Sequence, residues 1–219
     1  IEKMKREFVS VVAHQLRTPL TGIKWSLDAV LRGEDEKLSA TQQESLEKSY
    51  ASNERMIHLI DDLLNTARME EGRYAVHMMP TNMPHMVEAV LSELKEISDK
   101  QKITLVFKKL SRSIPDIRVD PEAIKIAMAN VIENAIKYTP AGGEVTVSLT
   151  HDDHHIEVLV RDTGIGIPKE QQHRIFSKFF RADGAVAAEP NGSGLGLFIV
   201  KNIVETHGGH VTFVSEEHK

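Results

Sequence analysis

The chain has 219 residues, 41% of them hydrophobic, a formal net charge of -5 and no cysteine. That length suits one large domain or two modest ones, and the apolar fraction is enough for a packed core rather than a disordered chain. The acidic balance argues against direct nucleic-acid binding, and the lack of cysteine excludes disulfides, thiolate zinc sites and cysteine nucleophiles.

The N-terminal apolar run from Phe8 to Ala13 is far too short to span a bilayer, and no signal peptide is visible. Ile1 already lies inside a helical pattern, so the natural protein is expected to continue upstream. Any sensor or membrane anchor would sit there, and this part of the chain is expected to be cytoplasmic.

Residues 1–72 read as a helical hairpin. Val9, Ala13, Leu16, Leu20, Ile23, Leu27 and Val30 recur at steps of four and three, and so do Leu46, Tyr50, Asn53, Ile57, Ile60, Leu64 and Ala67. That is a heptad-like seam, and Met56, Leu59 and Leu63 widen it toward a four-helix bundle. One hairpin supplies two helices, so the bundle implies a homodimer. Gly33 reads as the stop of the first helix, and Thr41 with Glu44 as a capping box for the second.

Residues 73–219 have another grammar, strand-like runs alternating with helices. Thr81 or Asn82 before Pro84 opens a helix of about fifteen residues, and Ile103 to Phe107 reads as a strand. Asp120-Pro121 starts a helix running to about Tyr138. Glu144–Leu149 and Ile156–Val160 alternate as two strands, a helix covers about Leu195–Thr206, and a last strand is expected near His210–Val214. The expected fold is α+β, a helical hairpin followed by an α/β sandwich with a mixed sheet and helices on one face. Ala182–Ser193, rich in Ala and Gly, reads as a mobile loop.

Within the first helix, His14 lies roughly 130° and Thr18 roughly 170° from the centre of the apolar stripe, so both are expected to face outward. An exposed imidazole has a free nitrogen that can attack phosphorus. Pro19 removes a backbone bond to Gln15 at a cost of about 3 kcal/mol, and a local bend beside His14 would give that cost a use. Trp25, between two seam positions, reads as packing.

The string from Phe8 to Thr21, with His14-Gln15-Leu16-Arg17-Thr18-Pro19-Leu20 at its centre, resembles the phosphoacceptor box of sensor histidine kinases. The family carries an acidic residue after the histidine, taken to accept the imidazole proton, and here that position is Gln15. An amide orients a ring but accepts a proton poorly. The resemblance implies that Thr18 positions water for hydrolysis of a partner's phosphoaspartate.

Asn130, Glu133, Asn134 and Lys137 share one helix face, with oxygen ligands suited to magnesium and a cation suited to phosphate. Asn130 to Tyr138 resembles the family's N box, which implies Mg2+ at Asn134 with help from Asn130 and Glu133, phosphate at Lys137 and nucleotide against Tyr138. Asp162-Thr163-Gly164-Ile165-Gly166 resembles the first glycine box, with Asp162 reading the adenine amino group. Phe176, Phe179, Phe180 and Arg181 look like the box beside the lid, at least two of the aromatics serving as packing. Gly192-Ser193-Gly194-Leu195-Gly196 opens a helix, where backbone amides can meet phosphate, and resembles the second glycine box. No Walker A sequence occurs. The family's pattern goes on to a further glycine turn and strand not found before Lys219, which puts the sheet edge in question. His151 to His155 reads as a solvated turn.

The resemblance, covering about Met4 to His210, implies ATP-dependent autophosphorylation of His14, transfer to an aspartate of a response-regulator receiver domain, and ATP and Mg2+ as cofactors. Two other classes stay open: another ATPase of the GHKL superfamily, like the chaperone, topoisomerase and mismatch-repair ATPases, or a dimeric scaffold that has lost kinase activity.

Overall fold

Two long amphipathic helices form the first of two units, Ile1–Tyr74 and Ala75–Lys219. The computed structural model describes residues 2–32, 38–70, 76–108, 114–189 and 192–217, the side chains of 2–11, 14 and 68–70 excepted. Helix α1 spans Glu2–Arg32 and runs through Pro19, and α2 spans Ala40–Glu70. The expected stop at Gly33 lies outside the described residues. The capping box is found two residues earlier than expected. Ser39 N–H donates to Gln42 Oε1 (2.9 Å) and Gln42 N–H to Ser39 Oγ (3.3 Å), while Glu44 pairs with Lys48 at 2.6 Å instead.

The seam splits into a covered and an uncovered part. Ala13, Ile60 and Leu64 are buried, with Leu20 and Leu63 packed against them. Leu16, Ile23, Val30, Met56 and Leu59 remain between 41% and 49% exposed. Cross-helix ties are polar: Arg17–Asp61 at 3.2 Å, Lys24–Glu54 at 2.9 Å, and Asn53 Nδ2 donating to the Leu20 carbonyl at 2.8 Å. Trp25 is 70% exposed, correcting its reading as packing. It lies one heptad beyond Thr18 and so shares the outward stripe, away from α2.

The second unit contains β1 (Met79–Thr81), α3 (Met83–Lys100), β2 (Thr104–Lys108), β3 (Ile117–Val119), α4 (Pro121–Tyr138), β4 (Glu144–His151), β5 (Ile156–Asp162), a 3-10 turn at Gln172–Arg174, α5 (Asp183–Ala188) and α6 (Gly196–Thr206). β2 pairs parallel with β4 from Thr104↔Glu144 to Lys108↔Ser148, and β4 antiparallel with β5 from Val145↔Asp162 to His151↔Ile156, giving a mixed three-stranded sheet. β1 and β3 form a separate antiparallel pair. Val145, Val147 and Leu149 of β4 bury against Val87, Val90 and Leu94 of α3 and Met128, Ile132 and Ile136 of α4. On β5, Ile156, Val158 and Val160 face that core, while Leu159 on the opposite face is half exposed. The helices therefore pack on one face of the sheet, and α6 packs against α4.

Local chemistry sets the starts of α3 and α4. Asn82 accepts from His85 N–H (3.0 Å) and Asp120 from Ala123 N–H (3.1 Å), each with proline in the first turn. Asp120 does more than cap. Its Oδ2 accepts from His77 N–H (2.9 Å), and its own N–H donates to His207 Nε2 (3.0 Å), at the end of α6. Burial pushes its carboxyl upward, but the N–H groups of His77, Ala123 and Glu122 and the neighbouring His207 outweigh burial and hold its pKa below the ordinary value. A carboxyl lowered in the folded state stabilises above its unfolded pKa, and that stability is lost as pH falls through the folded one. Asp120→Ala is expected to destabilise this unit by about 1–2 kcal/mol at neutral pH, with the gap closing in acid as pH falls below the ordinary carboxylate range and through the lowered folded pKa. Urea unfolding across that range checks it; a gap constant with pH contradicts the assignment.

Two expectations for the C-terminal third change. Ala182–Ser193 is not simply a loop, because it contains the six-residue α5. No strand forms at His210–Val214: these residues pair with no strand among those described, and Val214 is 96% exposed. A strand is defined by its partner ladder. The segment turns instead to the loop after β5, where Ile167 N–H donates to Ser215 Oγ (2.9 Å) and Gln172 Nε2 donates to the carbonyls of both Ile167 (2.9 Å) and Ser215 (3.0 Å). Among the described residues, no helix is long and apolar enough to cross a membrane.

Candidate active site

The expected phosphoacceptor stripe lies on α1. Its backbone is helical at His14, but the side chain of His14 lies outside the described residues. Around it, Ala13 is 1% exposed, whereas Gln15, Thr18 and Pro19 are exposed.

The nucleotide residues lie in the second unit. On α4, Glu133 and Lys137 are exposed and Asn130, Asn134 and Tyr138 half-buried. Asn130 Nδ2 donates back to the Ile126 carbonyl (3.0 Å), which leaves Oδ1 facing the first residue of α6. A Cβ on Gly196 would come 2.7 Å from Asn130 Oδ1 and 3.9 Å from Asn134 Nδ2. The two asparagines and Gly196 are thus brought together. Leu195, 2% exposed, anchors the start of α6; its own N–H donates to Ser193 Oγ (3.2 Å), and the N–H groups that follow have no side-chain cap among the described residues.

The first glycine loop leaves β5 against the end of α4. Gly164 N–H donates to Asp162 Oδ1 (2.9 Å) and Ile165 N–H to the Tyr138 carbonyl (3.1 Å). A Cβ on Gly164 would lie 2.8 Å from that same carbonyl, so only glycine lets the loop approach α4 this closely. Asp162 itself is exposed. Gly166 has φ +69, and the Glu216 backbone closes the space a Cβ would need.

Gly192 and Gly194 are placed elsewhere. Gly192 lies against the Arg181 guanidinium, and Gly194, at φ +67, against the backbone of Phe179 and Phe180. Arg181 donates to the carbonyls of Ala185 (2.9 Å) and Glu189, tying α5 down. Phe176 meets Phe213 edge to face and Arg174 covers Phe180, both rings half-buried, while Phe179 has φ 61 and is 65% exposed. A cleft of about 630 Å³ opens here, lined by Gln171, Arg174, Phe179, Phe180, Arg181 and Asp183, and none of the α4 residues contributes to it. Sequence reasoning missed Gln172 and Ser215, which hold the Gly166 loop from 5 and 48 residues away from Ile167; no local pattern marks them. At the His151–His155 turn Asp152 accepts from the N–H groups of His154 and His155 (2.8 and 2.7 Å).

Comparison with known proteins matches both units. Residues 4–72 match the "His Kinase A (phospho-acceptor) domain" and residues 119–219 the "Histidine kinase-, DNA gyrase B-, and HSP90-like ATPase" family. The circadian input-output histidine kinase CikA of Synechococcus elongatus is 32% identical over 96% of the chain, and the sensor histidine kinase WalK of Bacillus subtilis 32% identical over 100%. The chain spans only 28% and 36% of those two proteins. Among solved structures, full-length ShkA in complex with AMPPNP superposes with a TM-score of 0.73 at 26% identity, covering 92% of this chain and 41% of that one. The mycobacterial sensor histidine kinase MprB is 32% identical, with a TM-score of 0.51 over 60% of this chain and 81% of its own. With a phosphoacceptor-type hairpin followed by an ATPase-type sandwich whose asparagine helix meets its glycine turn, the chain belongs to the sensor histidine kinase family.

Proposed function

We propose that the chain is a kinase core that phosphorylates His14 from ATP and passes the phosphoryl group to an aspartate of a response-regulator receiver domain. The observation that carries this reading is the meeting of Asn130 and Asn134 with Gly196 at the uncapped start of α6. Amide oxygens and backbone N–H groups there suit the two halves of a metal-bound triphosphate.

Asp162 keeps Oδ2 for the adenine amino group while Oδ1 holds Gly164 N–H, and Tyr138 borders the base. The amides of Gly192, Gly194, Leu195 and Gly196 approach phosphate as the Arg181 segment closes, Leu195 N–H exchanging Ser193 Oγ for a phosphate oxygen, and Lys137 meets another. Asn134, with Asn130 and Glu133, would hold Mg2+, an oxygen-rich donor set that fits a hard cation. When bound, that ion neutralises charge developing on the phosphates. A ring nitrogen of His14 attacks the γ-phosphorus; the bond to the ADP oxygen breaks and the ring N–H proton leaves to solvent or phosphate, since Gln15 accepts it poorly.

The uncovered row of Leu16, Ile23 and Val30 with Met56 and Leu59 supports a homodimer, because a second hairpin would bury it. Thr18 and Trp25, exposed on the His14 stripe, suit contact with the receiver domain and, at Thr18, positioning of water for dephosphorylation.

Incubation with γ-labelled ATP and Mg2+ should give an acid-labile, alkali-stable label that maps to His14. Label at another residue, or ATP hydrolysis with no protein label, overturns the reading.

A further inference from the structure

We infer that Asn53 is a positioning residue for phosphorylation of His14, anchoring α2 to the turn of α1 that Pro19 weakens; this rests on the kinase reading above. Asn53 occupies a seam position of α2 and is 2% exposed. Its Nδ2 donates to the carbonyl of Leu20, the first residue after Pro19, at 2.8 Å. The acceptor is a carbonyl, which settles the amide's orientation, and Oδ1 is then left without a hydrogen-bond partner among the described residues. An apolar residue would fill that seam without an orphaned oxygen. A buried asparagine kept at such a position fixes helix register at the expense of stability.

What it fixes lies beside the chemistry. Pro19 offers no N–H to Gln15, so the helix is weakest between the segment carrying His14 and Thr18 and the segment that continues to Arg32. Asn53 clamps the far side of that break from within the hairpin. Surface ion pairs flank it, Arg17–Asp61 before the proline and Lys24–Glu54 after it, and both are exposed enough to be weak. Beside the apolar packing of Ala13 on Ile60 and Leu64, which can slide, the buried amide is the directional contact that fixes the height and rotation of the His14 stripe against α2. ATP is held in the other unit, so losing the clamp should alter the phosphoryl-transfer step and leave nucleotide affinity alone.

Asn53→Leu, nearly isosteric and apolar, separates this role from a structural one. The melting temperature is expected to equal or exceed that of the parent, while kcat for autophosphorylation falls about tenfold and KM for ATP stays within about twofold. Amide exchange across Arg17–Lys24 should quicken. An unchanged kcat, a kcat loss that tracks a lower melting temperature, or failure of the variant to fold would each overturn the anchor. If the parent chain itself carries no phosphohistidine, the kinase reading fails separately, and the melting and exchange measurements still decide for or against the clamp.

Discussion

Gly196→Ala is expected to weaken binding of Mg2+-ATP about a hundredfold with little change in melting temperature. The added methyl group would lie 2.7 Å from Asn130 Oδ1. That oxygen cannot simply swing away, because the same amide is held through Nδ2 to the Ile126 carbonyl. Either the bond breaks or α6 moves off α4, and both separate the asparagines from the helix start proposed to hold the phosphates. Loss of two charge-assisted contacts at about 1.5 kcal/mol each accounts for the size of the effect. Stability should fall only slightly, since alanine restricts the unfolded chain more than glycine does, by roughly 0.4–1 kcal/mol, and offsets part of the strain at this first helical position. Calorimetric titration with Mg2+-ATP, paired with thermal melting, tests this. A dissociation constant within about threefold of the parent would show that the pocket is not at the α4–α6 junction.

Gln15→Glu should raise the autophosphorylation rate, by about tenfold to a hundredfold. Attack by a neutral imidazole requires that the ring N–H proton leave, and a carboxylate one residue away accepts it where an amide cannot. Gln15 is exposed on α1, so the substitution changes no buried contact and should leave the hairpin's stability alone. Single-turnover labelling at saturating ATP isolates the step. If the rate does not move, proton removal by this position is not limiting, and solvent or phosphate oxygen already suffices.

The elements that could be read in advance are those specified by neighbours in the chain. Asn82-Pro84 and Asp120-Pro121 announce α3 and α4 because capping is a bond between residues three apart. The alternation over Glu144–Leu149 and Ile156–Val160 marks β4 and β5, since one face of each meets the helices. The order of the histidine, asparagine and glycine motifs was legible for the same reason: each is a local string. Ser39–Gln42 shows the limit even here, as two neighbouring strings can each cap and the pair two residues before Thr41–Glu44 forms instead.

Other features depend on groups far apart in sequence. Whether His210–Val214 became a strand turned on partners, and it was drawn to Ile167 and Gln172 instead. That Asn130 faces Gly196, that Asp120 joins His77 to His207, and that Trp25 stays in solvent while Asn53 is sealed inside are outcomes of packing. Residue types and their spacing determined which helices and motifs this protein has. Only the tertiary structure decided which side chains meet, because a hydrogen bond or a steric limit between distant residues exists only once the chain has folded around both.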